Sequence, residues 1–368
     1  MKKRVKVCHL TSAHARDDIR IFQKECKSLS QNGYDLSLVV ADGKGDDVVE
    51  NIKIYDVGKL NGRINRFTKT TKHVLNKAIE VDADLYHFHD SDLMPAGYKL
   101  VKKGKKVIYD VHEDLPGQIM GKPYIKPVFR KALSMFFKLL EDFYGSKYTH
   151  IITATPHIKT IFESRNKTTD INNYPFDKEL SNDATSFLDK KNEICFVGAI
   201  SEIRGLHIVV ESLNKLDVSL NLAGKVNQKS YREKLINTKG WDKVNELGQV
   251  NREEVKLILA NSKVGVVTYL PSPNHIFSQP NKLFEYMSAG IPVVASNFEL
   301  WKDIVEKYNC GICVNPESSD EIAKAVETII DNPDLAKKMG ENGVNAVKSK
   351  FNWESEEKKL IKLYKELV

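Results

Sequence analysis

The chain is expected to be an α/β protein of two Rossmann-like domains whose strand ends face each other across a cleft. Apolar runs of strand length alternate with amphipathic segments of helix length almost from end to end, the order that parallel sheets covered by helices require. That rhythm is interrupted at Asn172-Asn-Tyr-Pro-Phe-Asp177, a polar, turn-rich stretch, and then restarts. A length of 368 residues is long for a single core and comfortable for two.

In the first half, Val5-Lys-Val-Cys-His-Leu10 reads as a strand, Ile19 to Asn32 as a helix stopped by Gly33, and Leu36 to Val40 as the next strand. Leu85 to His89, Val107 to Asp110 and Ile151 to Thr153 are further strands, with helices near Phe67 to Ile79, Pro95 to Lys103 and Val128 to Tyr144. Beyond the connection, Glu193 to Val197, Leu220 to Ala223, Val264 to Val267 and Pro292 to Ala295 are strands. Helices at Leu206 to Leu216, Glu253 to Ala260 and Glu321 to Ile330 separate them, and a last helix runs from Trp353 to Leu367. The expected domains are residues 1–175 and 176–352, with 353–368 packing back on the first.

A hydrophobic share of 41% and a charged share of 29% fit a soluble protein without low-complexity tracts. Met1-Lys-Lys-Arg4 has the look of a signal-peptide start, but Lys6 and His9 interrupt the adjoining segment and no apolar run approaches membrane-spanning length. A cytoplasmic protein is expected. Five cysteines are few and odd in number, which fits reduced thiols. Cys310-Gly-Ile-Cys313 matches a redox or half-zinc pattern, yet no second pair exists and Cys313 falls in an apolar run, so buried structural cysteines are expected. The net charge of +7 favours anionic partners such as nucleotides or lipid headgroups. Nucleic acid is disfavoured, because the lysines are dispersed and no aromatic-interleaved basic motif is present.

Ser278 to Ser296 holds the most specific signal: a polar loop, a helix turn carrying one glutamate, then a buried strand. Asn281, Lys282 and Leu283 open that helix with N–H donors suited to phosphate, and Glu285 stands one turn on, where it can accept from two vicinal hydroxyls. Ala289-Gly290-Ile291-Pro292 ends the helix.

With this segment, five others carry a resemblance. They are Thr11 with His14-Ala-Arg-Asp-Asp-Ile-Arg-Ile-Phe22, Asp84-Leu-Tyr-His-Phe-His-Asp90, Tyr109-Asp-Val-His112, Phe196-Val-Gly-Ala-Ile-Ser-Glu-Ile-Arg-Gly205 and Phe351-Asn-Trp353. In that order they resemble the GT-B glycosyltransferases, specifically retaining enzymes of family 4 that use nucleotide sugars. The resemblance covers nearly the full length. It implies no cofactor and no metal, a nucleotide-diphosphate sugar as co-substrate, and a saccharide or lipid-linked saccharide acceptor. It further implies a role in bacterial surface polysaccharide or lipopolysaccharide assembly.

The resemblance places His112 near the reacting sugar, as a hydrogen-bonding residue, and makes it and Glu285 the expected catalytic pair. Arg204 matches the basic residue at the diphosphate, next to Gly198 and the helix after Gly205, and Val250 joins the donor set. The family's further arginine falls at Ala199, so Lys282 or Lys225 is expected to replace that cation. Glu285 matches the ribose glutamate, but its usual partner eight residues earlier falls at Phe277. Either Asn274, His275 or Gln279 takes over at the donor sugar, or that sugar lacks the usual hydroxyls. His14, Asp17, Asp18 and Asp90 are expected on the acceptor side, with Asp18 equally readable as a helix N-cap.

Asp90-Ser-Asp92 mimics a metal signature, but Asp90 is read as a cleft residue and Asp92 as a helix cap. Lys122 to Tyr144 mixes lysines and arginine with Val128, Phe129, Phe136 and Leu140, and two readings stand. It either lies on an anionic membrane, at the inner face of the cell membrane, or covers the first sheet. A sugar-nucleotide epimerase of the same fold and a non-catalytic partner subunit are the rival functions.

Overall fold

The computed structural model describes residues 4–122, 125–177, 179–180, 187–226 and 228–368. The chain divides into two compact units, Met1–Asn173 with Trp353–Val368, and Tyr174–Asn352.

The first unit is built on β1 (Lys6–Leu10), β2 (Asp35–Val40), β3 (Asp47–Val49), β4 (Ile52–Asp56), β5 (Leu85–Phe88), β6 (Lys106–Val111), β7 (His150–Thr153) and β8 (Thr168–Asp170). Their order is β3-β4-β2-β1-β5-β6-β7-β8, parallel except for the β3–β4 hairpin. The central strands are buried on both faces, as parallel strands under helices must be. β3, β4 and β8 were not expected from the sequence. β3 and β8 are three residues each, and the β3–β4 turn is formed by Glu50 and Asn51 at φ 51° and 64° rather than by glycine.

Pairing of β1 with β5 sets His9 beside His87, and the two-residue period of a strand puts His89 on the same face as His87. Over that face runs Ile19–Cys26, a π-helix that passes into the α-helix Lys27–Gln31 where a single α-helix was expected. Its wider turn aligns residues five apart, and Arg20 Nε lies 3.3 Å from Glu25 Oε1. The helix Trp353–Leu367 belongs to this unit. Trp353 Nε1 donates to Ser28 Oγ at 3.1 Å, and Glu356 accepts from the Asn172 amide at 2.8 Å.

The second unit carries β9 (Glu193–Val197), β10 (Ser219–Ala223), β11 (Val244–Gly248), β12 (Val264–Val267), β13 (Val293–Ser296) and β14 (Gly311–Val314). Their order is β11-β10-β9-β12-β13-β14, all parallel, with Phe196, Phe284, Tyr286 and Trp301 fully buried. β11 was missed because its residues are half or fully exposed at the sheet edge, so no apolar run announces it. Among the parallel strands of each sheet the order reverses once, between β1 and β5 and between β9 and β12, and the loops leaving those strand ends are where open parallel sheets take their ligands. All five cysteines are free thiols.

Candidate functional site

In the second unit the loops after β9 and β12 are locked together by backbone contact. Gly205 has φ 69°, and a Cβ there would stand 2.3 Å from the Thr268 carbonyl oxygen, so only glycine lets the two loops meet. Arg204, just before it, lays its guanidinium over the Tyr269 ring at 4.6 Å from the centroid and donates to the Tyr269 hydroxyl. Lys282 Nζ donates to the same hydroxyl at 2.9 Å and lies 4.8 Å from the Phe196 ring centroid. Only 8% of Lys282 is exposed. Burial, aided by Arg204 and opposed by Glu285, brings its ammonium down to about 7. Two cations therefore converge on one tyrosine.

Lys282 also stands against Gly198, where a Cβ would come within 2.8 Å of Nζ. The helix Asn281–Ser288 starts here behind Pro280 with no side-chain cap; Leu283 N–H turns back to the Pro280 carbonyl, while Asn281 is exposed at the opening. Glu285 accepts from Arg252 Nη1 at 2.7 Å, and Arg252 Nε in turn donates to Glu179 at 2.6 Å. The loop is pinned from below by Trp301 Nε1 on the Ser278 carbonyl and by Ser296 Oγ on the Tyr269 carbonyl, both at 2.7 Å.

His275 packs 4.8 Å from the Tyr269 ring, its imidazole lowered to about 4 by burial and by Arg204, and its Nδ1 has no hydrogen-bond partner among the described residues. Gln279 accepts from the Tyr174 hydroxyl at 3.4 Å, and Phe277 is 46% exposed at the end of the helix Pro273–Ile276. The side chain of Asn274 lies outside the described residues. Lys225 is exposed and accepts through its carbonyl from the Ile200 amide of the β9 loop at 3.0 Å, and Val250 is half-buried against the core. Gly198, Arg204 and Lys282 are thus brought together, with Glu285 one turn away. Sequence reasoning missed Tyr269 and Arg252. Tyr269 carried a usable signal, two residues past a buried strand at the switch point; Arg252 looked like an ordinary first residue of a helix.

In the first unit a cavity of about 610 Å³ is walled by His14, Asp90 and His112 on its polar side and by Phe67, Leu133 and Phe137 on its apolar side. Asp90 Oδ2 accepts from the Thr11 hydroxyl and the Ser12 amide, each at 2.7 Å, and Oδ1 lies 3.2 Å from His14. Burial works against its charge, but these bonds outweigh it and hold the carboxyl well below the usual range. His112 Nε2 sits 2.7 Å from the fully buried Asp110.

Asp17 is exposed, and Asp18 caps the helix by accepting from the Arg20 and Ile21 amides at 2.9 Å; neither lines the cavity. Asp92 is not a helix cap. The helix Met94–Lys102 has Leu93 at its N-cap, one residue beyond Asp92, so Asp92 lies inside the short 3-10 turn Ser91–Leu93 and accepts instead from the Ser12 hydroxyl at 2.8 Å, with Arg66 Nε 3.3 Å away.

Residues 177–346 match the family described as Glycosyl transferases group 1, a stretch that holds Gly198, Arg204, Tyr269, Lys282 and Glu285. Over 165 residues the chain is 28% identical to the MMP alpha-(1->4)-mannosyltransferase of Mycolicibacterium hassiacum, covering 44% of this chain and 39% of that enzyme. The matches span less than half the length of the curated relatives. In fold, 99% of the chain is similar to sucrose-phosphate synthase from Thermosynechococcus elongatus, with TM-score 0.80, 19% identity and 99% of that chain covered. Anabaena HepE in complex with UDP and glucose is similar over 99% of this chain and 100% of its own, with TM-score 0.75 and 15% identity. The fold class is therefore the GT-B class that the sequence motifs implied.

Proposed function

We propose that this chain is a retaining glycosyltransferase that moves a sugar from a nucleoside-diphosphate sugar to a saccharide or lipid-linked saccharide, in bacterial surface polysaccharide or lipopolysaccharide assembly. The convergence of Arg204 and Lys282 on Tyr269 at the switch point of the second sheet carries this reading. Negative charge grows on the leaving diphosphate as the glycosidic bond breaks, and preset cations with an uncapped helix mouth are what stabilises it. On this reading Arg204, Lys282 and the opening amides take the diphosphate, Glu285 accepts from the ribose, and Arg252 holds Glu285 in place. His14 and Asp90 serve the acceptor from the cavity of the first unit.

A thermal-shift panel tests the donor half. One nucleoside diphosphate and its sugars are expected to raise the unfolding midpoint, by about 2.7 kcal/mol of stabilisation at a hundredfold excess over Kd. No shift with UDP, GDP, ADP or their sugars at millimolar concentration would sink the reading. Consumption of the matched donor then separates the rivals: a transferase needs acceptor, an epimerase does not, and a partner subunit consumes nothing.

The helix Pro127–Gly145 bears on the acceptor. Val128 is 78% exposed and Phe129 65%, and Met135, Phe136, Leu139 and Phe143 are exposed beside Lys126, Lys131 and Lys138. That face does not cover the sheet. Among the described residues no helix is long and apolar enough to cross a membrane, so the face suits contact with an anionic bilayer from one side. Flotation with anionic vesicles at low salt is expected to carry the protein upward, and Phe129→Glu with Phe136→Glu to leave it at the bottom. Wild-type protein staying at the bottom would remove this part.

A further inference from the structure

Beneath the cavity of the first unit lies a buried chain of side chains whose hydrogen positions are set from one end. Arg20, 4% exposed, donates Nε to Asp110 Oδ2 at 2.9 Å, Nη2 to Asp110 Oδ1 at 2.7 Å, and Nη1 to the Ile171 carbonyl at 2.8 Å. A carboxylate clamped in this two-pronged way is anionic and can only accept. His112 Nε2, at 2.7 Å, and His89 Nδ1, at 3.0 Å, both meet Asp110 Oδ2, so both nitrogens carry hydrogen.

The consequence propagates. His89 with its proton on Nδ1 offers a lone pair on Nε2, so His9 Nδ1, 2.9 Å away, donates to it. His9 Nε2 is left an acceptor, which the Tyr364 hydroxyl fills from 3.3 Å; the Tyr364 oxygen then accepts from His87 Nδ1 at 2.8 Å. Burial keeps His9, His87 and His89 neutral by lowering each of them, the condition this pattern needs.

We infer that Arg20 and Asp110 are positioning residues for His112: they hold its ring with the proton on Nε2, so that the neutral ring presents Nδ1 as a hydrogen-bond acceptor at the cavity wall. A buried ion pair is a poor source of stability, since desolvation offsets most of its attraction, and directing one ring is a use that fits its placement. The catalytic consequence rests on the reading of His112 as standing near the reacting sugar. There it would accept from a hydroxyl, and a sugar lacking that hydroxyl would leave Nδ1 unpaired.

Nitrogen-15 NMR of the histidine rings at pH 8 tests the assignment with no substrate present. The neutral rings are expected as Nε2–H for His112 and Nδ1–H for His9, His87 and His89. A neutral His112 protonated on Nδ1, His89 protonated on Nε2, or a stoichiometric metal ion copurifying on these nitrogens would overturn it. Asp110→Asn, which keeps the shape, is expected to give His112 a mixture of tautomers. In a transfer assay it would lower kcat roughly tenfold or more with donor KM within about threefold; an unchanged kcat with the tautomers mixed would remove the positioning role. If wild type transfers no sugar at all, the functional reading fails while the spectrum still decides the assignment.

Discussion

Replacing Lys282 by methionine is expected to lower affinity for a nucleoside diphosphate about ten- to hundredfold at pH 7 while making the free protein more stable. The two effects have one origin. In the absence of ligand the ammonium is packed against Phe196, Tyr269 and Arg204 with 8% exposure, and burial lowers it from 10.5 to about 7. An unfolded lysine titrates near 10.5, so above that pH the residue carries no charge penalty in either state. As pH falls through the window from 10.5 to 7 the penalty builds, and below 7 it is complete. Methionine keeps the volume and drops the charge, so the gain is greatest below pH 7, at most about 5 kcal/mol. A charged hydrogen bond to a phosphate oxygen contributes about 1.5–3 kcal/mol, which sets the expected loss in affinity.

The same titration predicts the pH dependence of binding. At pH 8 roughly one Lys282 in ten is charged in the free protein, so an anionic ligand must draw a proton with it. Calorimetry in buffers of different ionisation heat is expected to show uptake approaching one proton near pH 8 and close to none at pH 6. Affinity should fall up to about tenfold per pH unit above 7, and this fall should vanish in Lys282→Met. Binding by wild type at pH 8 without proton uptake, or undiminished affinity in the variant, would show that the diphosphate does not lie on Lys282.

How much of this was legible beforehand depends on whether a residue acts through local pattern or through tertiary company. Strands such as Glu193–Val197 and Val264–Val267 are continuous apolar runs between helix-length segments, and a one-dimensional pattern suffices to find them. β3 and β11 lie at sheet edges, where charged and half-exposed residues hide the period. Among the site residues, Arg204 and Lys282 stand at loop-to-helix junctions that sequence marks plainly. What sequence could not mark is that both meet one tyrosine, or that Arg252 reaches Glu285 from another helix. Asp92 was misread for a related reason: a helix-start position suggests a cap, but the partner it found, Ser12, is 80 residues away. The exposure of Val128 and Phe129 is likewise a tertiary fact, since the same amphipathic pattern serves a helix on a sheet or a helix on a membrane.

Gly224→Ala is expected to be the most damaging small change in the second unit. Gly224 follows β10 at φ 148°, a conformation that side chains rarely adopt, and an added Cβ would fall 1.9 Å from the Gly198 carbonyl oxygen. Neither partner can move cheaply. Gly198 N–H donates to the Ala223 carbonyl at 2.8 Å, Gly224 N–H to the Gly248 carbonyl at 2.6 Å, and Ile200 N–H to the Lys225 carbonyl at 3.0 Å, so both strand ends are stitched on either side of the contact. Strain in φ and the forced separation together imply a loss of about 3 kcal/mol or more, a drop of roughly 6–12 °C in the unfolding midpoint of a unit this size. Gly248→Ala supplies the comparison. Its φ is also positive, at 70°, but nothing lies within 4 Å of the added methyl, so only the backbone term of about 1 kcal/mol applies. Equal losses in the two variants would mean that the approach of Gly224 to Gly198 contributes nothing. Because Gly198 also abuts Lys282 Nζ, the shift that relieves Gly224→Ala should disturb the lysine, and its nucleotide affinity should fall further than that of Gly248→Ala.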